Sequence, residues 1–179
     1  MSKQSTLRGI ARRHWLAIGL ASVAAGAGAR LAWRQLADSS AKPSVEAFWG
    51  MSFEQPDGGQ IQVSRWRGKP LLLNFWATWC PPCLQEMPLL DKFHRERGWQ
   101  VLGLAVDQAA PVRAYLQRLP IGFPIALAGL DGVRLSRDLG NSGGQLPYTV
   151  VFDSAGQMTD KHLGIVDETR LALWVEKVR

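Results

Sequence analysis

The sequence predicts an α/β fold in which a central mixed β-sheet is flanked by helices. Apolar runs at residues 71–73 and 101–106 show no alternation with polar residues, which is typical of strands covered on both faces of such a sheet. Between these runs, residues 81–97 carry apolar side chains at helical spacing and are followed by Gly98, a common helix stop. The order strand, helix, strand is the pattern of an α/β domain.

The segment before the first of these strands predicts an N-terminal β-hairpin. Residues 48–54 and 60–63 flank a turn at residues 55–59, which contains Pro56 and two glycines. Proline and glycine between two strand-length segments are a hairpin signal. Residues 64–69 then lead into the central strand.

The predicted helix at residues 81–97 has one apolar side and one internal proline. Pro88 should kink the helix, because proline lacks an N–H group and crowds the carbonyl group of Leu84. The apolar residues at helical spacing are Leu84, Met87, Leu90 and Phe93.

Shorter elements are predicted in the C-terminal half of the chain. Residues 111–119 and 131–139 are predicted helices, with a short strand at residues 124–128 between them. A glycine-rich loop at residues 140–145 follows.

Two strands and a final helix complete the predicted domain. The strands are residues 147–153 and 157–163, joined by a turn that contains a glycine. The last helix begins at Asp167 or Thr169. It carries a core-facing stripe of Leu171, Trp174, Val175 and Val178.

Two cysteines occur in the 179 residues, Cys80 and Cys83, and they lie where a strand ends and a helix begins. A helix N-terminus provides unpaired N–H groups and a partial positive charge, which favour the thiolate form of Cys80. Residues three apart on the first turn lie side by side, so Cys83 can attack a mixed disulfide formed at Cys80. We therefore predict a redox-active pair with a solvent-facing Cys80 as the attacking thiolate and Cys83 beneath it as the resolving thiol. Two reduced core cysteines, the alternative, fit poorly with a turn at a helix start.

The two prolines between the cysteines predict the direction of the redox reaction. Pro81 and Pro82 fit the first helical turn, but neither offers an N–H group to the sulfur of Cys80. Because fewer donors stabilise the anion, we expect the pKa of Cys80 to be lowered less than in a strongly oxidising site. The dithiol is then the better electron donor. The expected direction is reduction of a client, that is, of a protein whose disulfide the pair attacks.

The net charge of +6 is located at the N-terminus of the chain. Residues 1–34 hold six basic residues and no acidic residue, and the remainder has equal numbers of the two. A groove for phosphates needs its basic excess in the folded part, so nucleic-acid binding is not expected.

Residues 14–33 are predicted to direct the chain to a membrane. They follow a basic N-terminus at residues 1–13 and contain an uncharged, mostly apolar run at residues 15–29. The run suits a signal peptide with an Ala-x-Ala cleavage site at its end, and its extension past Arg30 suits a membrane anchor. In either case the preceding basic residues keep the N-terminus in the cytoplasm, so the domain is predicted to be exported.

The route of export and the role of the following segment stay open. Arg12 and Arg13 permit a twin-arginine signal as well as general secretion. Residues 34–47 are polar and rich in serine, which predicts either a linker that holds the domain off the membrane or a tail of no consequence.

The sequence W-A-T-W-C-P-P-C-L-Q-E-M-P at residues 76–88 resembles the active-site signature of the TlpA/ResA-like branch of the thioredoxin superfamily. The members of this branch are membrane-tethered thiol-disulfide oxidoreductases. The resemblance extends over residues 48–179 in the order of the elements, with a second motif-level match around Pro147. It implies a thioredoxin-like domain at residues 48–179 with an N-terminal β-hairpin and an inserted strand–helix segment after Pro120, and it favours an uncleaved anchor.

Glu86 lies three residues after Cys83 on the same side of the helix, near enough to exchange a proton with it through a water molecule. The resemblance assigns a glutamate at this place a role in tuning the cysteine pair, and burial would raise its pKa. The alternative is an acid that offsets the positive end of the helix. The catalytic interpretation gains weight from Asn74, which occupies the position of a buried aspartate in thioredoxin and cannot titrate.

Pro147 matches the proline that the family places in cis opposite the disulfide. A cis peptide there would expose the backbone of Leu146 to an extended client strand. The alternative is an ordinary proline at a strand start. Tyr148 stands where many relatives carry threonine, which leaves the shape of the client groove open.

The aromatic and imidazole side chains near the motif receive separate predictions. By resemblance, Trp79 shields Cys80 and offers an apolar client contact, whereas Trp76 is expected in the core. The histidines are scattered and are predicted to be surface or packing residues. They are His14, His94 and His162.

The resemblance implies a reductase in the inner membrane with a periplasmic domain, or a secreted one if the signal is cleaved. It would take electrons from a thiol-type membrane donor and reduce disulfides of client proteins such as apocytochrome c or copper-site assembly factors. No cofactor is expected besides the Cys80–Cys83 pair. The alternative is a Cu(I)- or Zn-binding module, against which the lack of a second cysteine pair argues. A peroxidase would need a peroxidatic cysteine in a loop bearing proline and threonine, and none is visible.

Overall fold

The computed structural model describes residues 45–178 of the chain. Within them, the elements follow in the order β1 (Ser52–Glu54), β2 (Gln60–Gln62), a 3-10 turn (Val63–Trp66), β3 (Leu71–Trp76), α1 (Pro81–Arg97), β4 (Gln100–Ala105), α2 (Ala109–Arg118), β5 (Ile125–Leu127), α3 (Asp131–Asp138), β6 (Tyr148–Phe152), β7 (Met158–Leu163) and α4 (Glu168–Lys177). The predicted basic N-terminus, the membrane-directing segment and residues 34–44 of the predicted linker lie outside the described residues.

The strands form one mixed sheet in the order β2-β1-β5-β4-β3-β6-β7. The central strand β3 pairs parallel with β4 and antiparallel with β6. On the other side, β5 pairs parallel with β4, and the hairpin joins through an antiparallel contact of Glu54 with Leu127. The predicted α/β class, the mixed sheet and the N-terminal hairpin are confirmed.

Helix α1 begins and ends where the sequence predicts. Cys80 is its N-cap residue, with extended backbone angles, and prolines occupy the first two helical positions. The helix ends at Gly98, whose φ of 66° lies in the left-handed region that glycine adopts without strain. Pro88 lies inside the helix and does not interrupt it.

The beginning of the predicted hairpin is wrong. Residues 45–49 are helical, and the first strand begins only at Ser52. Phe48 and Trp49 are both buried in the same apolar cluster. Successive side chains of a strand point to opposite faces, so a strand could not place both of them there.

The last helix follows the first of the two predicted starts. The Asp167 side chain accepts a hydrogen bond from the N–H of Arg170 at 2.8 Å and caps α4. Leu171 and Trp174 are buried, while Val175 and Val178 are partly buried against the same cluster. The other helices and strands begin and end within two residues of their predicted bounds, apart from β1 and β3, and β3 extends past the predicted run at residues 71–73 to Trp76.

The sheet separates two apolar clusters, because alternate residues of its strands point to opposite faces. The cysteine face packs against α1, α2 and α4 and includes Leu72, Trp76, Val101 and Val151 together with both cysteines. The aromatic face packs against residues 45–49, the 3-10 turn and α3 and includes Phe48, Trp49, Phe75 and Phe152. None of the helices in the described part of the chain combines the length and apolar character needed to cross a membrane.

Candidate active site

Cys80 and Cys83 form a disulfide at the start of α1. The sulfur of Cys80 accepts a hydrogen bond from the N–H of Cys83 at 3.3 Å. Pro81 and Pro82 occupy the positions between them and have no N–H group to offer. The helix start therefore presents one close backbone donor to this sulfur.

The two sulfurs differ in exposure, though less than predicted from the sequence. Cys83 is fully buried, and Cys80 has 5% of its surface exposed. The predicted solvent-facing Cys80 is thus nearly buried in this disulfide form, because its sulfur is bonded to Cys83 and lies against the helix start. Cys80 is still the member of the pair that solvent can reach.

Glu86 is 1% exposed and is held at both oxygens by N–H donors. Its Oε1 accepts from the Nδ2 of Asn74 at 2.7 Å, and its Oε2 accepts from the N–H of Val166 at 2.7 Å. The same Nδ2 of Asn74 also donates to the Oγ1 of Thr149 at 3.1 Å. A buried carboxyl group with its partners therefore lies one helical turn after Cys83.

Burial raises the pKa of Glu86 from 4.5 to about 7. Loss of hydration is the largest cause, since it disfavours the charged carboxylate. The hydrogen bonds from Val166 and Asn74 act in the opposite direction and lower the pKa. The carboxyl group is left able to take or release a proton near neutral pH.

Two of the groups around Glu86 were not found from the sequence. Thr149 faces the carboxyl site because it alternates with Tyr148 and Val150, which point to the aromatic face. Val166 contributes only a backbone N–H, so its residue type gives no signal. Asn74, a candidate already from the sequence, keeps its Oδ1 buried without a hydrogen-bond partner in the described structure.

The peptide bond between Leu146 and Pro147 is cis, as the resemblance implied. Leu146 is partly buried against both apolar clusters. The carbonyl group of Pro147 accepts from the N–H of Gly164 at 2.9 Å, which ties this segment to the loop after β7. Gly164 precedes Val166 by two residues, so the loop also reaches Glu86.

Tyr148 does not project toward the cysteines. Its side chain is 2% exposed on the aromatic face, and its hydroxyl donates to the carbonyl group of Leu139 at 2.9 Å. Burial raises the pKa of this hydroxyl to about 12. The departure from threonine at this position therefore alters the opposite side of the sheet.

The aromatic and imidazole groups occupy different environments. Trp79 is 65% exposed next to Cys80, whereas Trp76 is fully buried on the cysteine face. The rings of His94 and His162 contact the carbonyl groups of Trp99 and Ile165, and His14 lies outside the described residues. Among residues 45–178 there is no group of three or more side chains suited to holding a metal ion.

Comparison with known proteins places this chain in a family. The model of the Redoxin family matches residues 37–173, which is most of the chain. This chain belongs to the Redoxin family. Both cysteines, Glu86 and Pro147 lie within the matched part.

Named relatives are similar over two thirds of the chain or more. The thiol-disulfide oxidoreductase ResA of Bacillus cereus is 28% identical over 126 residues, covering 68% of this chain and 70% of that protein. The thioredoxin-like protein YneN of Bacillus subtilis is 32% identical over 126 residues, covering 67% of this chain and 71% of that protein.

Solved structures support the fold of this Redoxin family member. The structure of MTB dsbF in its mixed oxidized and reduced forms matches with a TM-score of 0.64 and 24% sequence identity. The match covers 74% of this chain and 98% of that chain. The crystal structure of a thiol:disulfide interchange protein of the thioredoxin family from Chlorobium tepidum has a TM-score of 0.61 and 27% identity, and the match covers 72% of this chain and 92% of that chain. The fold is thioredoxin-like. The disulfide at the start of α1, the Redoxin family match and the similarity to relatives named thiol-disulfide oxidoreductase together make the chain a thiol-disulfide oxidoreductase.

Proposed function

We propose that this Redoxin family member is an exported reductase of protein disulfides. The observation that carries the proposal is the Cys80–Cys83 disulfide, in which the fully buried Cys83 lies behind the one sulfur that solvent reaches. Such an arrangement supports attack by Cys80 and resolution by Cys83. No cofactor besides this pair enters the proposed reaction.

The proposed reaction has two exchange steps. In the dithiol form, the Cys80 thiolate attacks a client disulfide, forms a mixed disulfide and releases one client thiolate. Cys83 then loses its proton and attacks the sulfur of Cys80, which releases the second client thiol. Two electrons have passed to the client, and the Cys80–Cys83 disulfide is restored.

Glu86 is the proposed acceptor of the proton that Cys83 loses. It is buried on the same side of α1 as Cys83. The raised pKa of its carboxyl group, about 7, suits proton exchange at neutral pH. Asn74 donates to Glu86 at 2.7 Å and cannot itself titrate. Glu86 therefore supplies the proton-accepting group below the disulfide.

Clients are proposed to bind beside the cysteines at Trp79, Leu146 and Pro147. The exposed ring of Trp79 offers an apolar surface next to Cys80, and the cis bond before Pro147 presents the backbone of Leu146 to an extended client segment. The reducing direction is supported by the two prolines after Cys80, which leave its sulfur one close backbone donor.

The membrane setting is part of the proposal and rests on the N-terminal sequence. Residues 14–33 would anchor the chain in the inner membrane with the domain in the periplasm, or release it there after cleavage. A membrane partner of thiol type would return electrons to the disulfide. Apocytochrome c and copper-site assembly factors are the proposed client classes.

Two measurements on the full chain test the direction and the roles. Equilibration with glutathione should give a reduction potential more negative than about −180 mV, the value of an isomerase-type site. A potential near about −120 mV, typical of a strong oxidant, would contradict the reducing direction.

The Cys83→Ser variant should retain client proteins as mixed disulfides on Cys80, because the resolving thiol is gone. The matched Cys80→Ser variant should trap none. Equal trapping by both variants, or by neither, would contradict the assignment of Cys80 as the attacking residue.

A further inference from the structure

A carboxylate outside the cysteine motif binds the turn that carries Cys80. Asp107 follows β4, and its Oδ2 accepts two hydrogen bonds from Thr78, one from the N–H at 2.9 Å and one from the hydroxyl at 2.5 Å. Its Oδ1 accepts from the N–H of Gln108 at 2.7 Å. Three donors therefore fix one carboxylate, and two of them belong to a residue just before Cys80.

Strand pairing explains why Asp107 lies beside this turn. Trp76 at the end of β3 is the register partner of Ala105 in β4, and the N–H of Val106 donates to the carbonyl group of Trp76 at 2.8 Å. The segments that follow β3 and β4 thus leave the sheet side by side. Asp107, the residue after Val106, therefore contacts the segment that leads from β3 to the cysteines.

Thr78 lies inside the turn that determines the backbone of Cys80. The N–H of Cys80 donates to the carbonyl group of Ala77 at 3.2 Å, which closes the turn around Thr78. Cys80 has φ of −107° and ψ of 95°, and in this conformation its sulfur accepts from the N–H of Cys83. A shift of the turn would displace the sulfur from that donor.

We propose that Asp107 is a positioning residue of the redox site, which acts through Thr78 to hold the turn bearing Trp79 and Cys80 against the end of β4. Hydrogen bonds to a charged acceptor are stronger than those between neutral groups, so this carboxylate suits the task. Asp107 takes part in none of the ion pairs found among residues 45–178. Its described side-chain partners are the Thr78 groups and its neighbour's N–H.

The inference deepens the proposed function, but it can fail separately from it. If Asp107 positions Cys80, its loss should change the reactivity of the Cys80 thiol even when no client protein is present. Alkylation of that thiol by iodoacetamide reports the thiolate fraction directly. The outcome is independent of whether the natural client is a protein disulfide.

The test measures the rate of alkylation against pH in the full chain carrying Cys83→Ser, so that Cys80 is the one thiol present. Asp107→Ala should raise the pKa of Cys80 and slow alkylation at neutral pH about fivefold, the effect of losing one hydrogen bond of ordinary strength. Asp107→Asn should slow alkylation less than Asp107→Ala, because one amide oxygen can still accept both bonds from Thr78 but is a weaker, neutral acceptor. Thr78→Val should show a smaller slowing, since it keeps its N–H.

Positioning through Thr78 also predicts that the two substitutions are not additive. The Thr78→Val, Asp107→Ala double variant should react no more slowly than Asp107→Ala alone, because both remove parts of one contact. Asp153→Ala is the matched control. Its carboxylate accepts from the N–H of Gln157 at 2.9 Å in the turn between β6 and β7, and its loss should leave the alkylation profile unchanged.

Two results would overturn the inference. If Asp107→Ala lowers the unfolding temperature but gives the parent profile, Asp107 is merely structural. If Asp107→Ala and Asp107→Asn lower the pKa of Cys80 equally, the charge acts on the thiolate directly and Thr78 has no part. Should Asp107→Ala fail to fold, Thr78→Val and Asp107→Asn replace it: a parent profile for Thr78→Val, or a lowered pKa of Cys80 in Asp107→Asn, then overturns the inference.

Discussion

Strands β3, β4 and β6 send alternate side chains to two faces of one sheet, and the two faces differ in chemistry. On the aromatic face, Phe152 stacks on Phe48 with ring centres 5.2 Å apart and meets Trp49 edge-on at 5.2 Å. Aromatic pairs at this distance add to the stability already gained from burial. Apolar side chains dominate this face.

The cysteine face contains buried polar groups among its apolar residues. Asn74, Glu86 and Thr149 form a hydrogen-bonded group there, next to the disulfide. Buried polar side-chain atoms without a partner in the described structure also lie on this side. They belong to Asn74, Trp76 and Tyr115. Because such atoms lose hydration without compensation, this face gives up stability where the redox chemistry takes place.

The largest expected effect comes from the aromatic face. Phe152→Ala should lower the free energy of unfolding by about 4 kcal/mol, because it removes a fully buried ring between two other rings. Chemical denaturation of the full chain measures this change. The reduction potential should move by less than about 15 mV, since the ring lies on the opposite side of the sheet from the cysteines.

Phe152→Leu serves as the control, with a smaller loss of about 1 to 2 kcal/mol because most of the apolar volume remains. If Phe152→Ala shifts the reduction potential by about 30 mV or more, the two faces are energetically coupled, and the aromatic face is not separate from the redox chemistry.

The second effect concerns Glu86 and depends on pH. Its pKa is raised in the folded protein from 4.5 to about 7, so between these values the folded state holds a proton that the unfolded state releases. Stability therefore falls as pH rises through this window, and the full cost is present above it. The glutamine of Glu86→Gln cannot ionise, so this variant does not lose stability across the window. Its free energy of unfolding, measured relative to that of the parent, should rise by about 3 kcal/mol from acid to mildly alkaline pH.

Denaturation at a series of pH values measures this gain, and Glu96→Gln, an exposed position on the same helix, is the matched control. Glu86→Gln should also slow insulin reduction at neutral pH by at least about tenfold. An unchanged profile of rate against pH would remove Glu86 from the proposed reaction.

The smallest effect tests whether ion pairs contribute to the aromatic face. Glu46 and Arg67 form a pair at 2.5 Å, but their side chains are 72% and 41% exposed. Glu46→Gln should cost about 0.5 kcal/mol at low salt, and the difference should vanish in about 1 M salt because solvent and ions screen the pair. Glu54→Gln, an exposed residue of β1, is the control. A loss comparable with that of Phe152→Ala would show that charge, rather than aromatic packing, stabilises this face.

Much of the fold could be predicted from the sequence because its signals are local. The unbroken apolar run at Leu71 marks a strand covered on both faces, and Gly98 marks the end of α1. The hairpin start was missed because Phe48 and Trp49 suit a strand by composition, whereas their common burial requires a helical turn.

The candidate site was predicted unevenly for the same reason. Cys80, Cys83 and Glu86 lie within seven residues, so helical geometry alone relates them. Thr78 and Asp107 are far apart in the chain, and neither residue type indicates that they meet. The need for glycine at position 103 is likewise not visible in the sequence. A Cβ atom at Gly103 would lie 2.5 Å from the side chain of Ile125, and only the folded sheet brings the two residues together.

The sequence by itself determined the redox pair, its place at a helix start and the two prolines that withhold N–H groups, because neighbours along a helix have fixed geometry. Tertiary structure alone decided that the N–H of Val166 reaches Glu86 and that Asp107 holds the turn before Cys80. Hydrogen bonds between distant residues depend on how the sheet and helices pack, and no local pattern of residues records that packing.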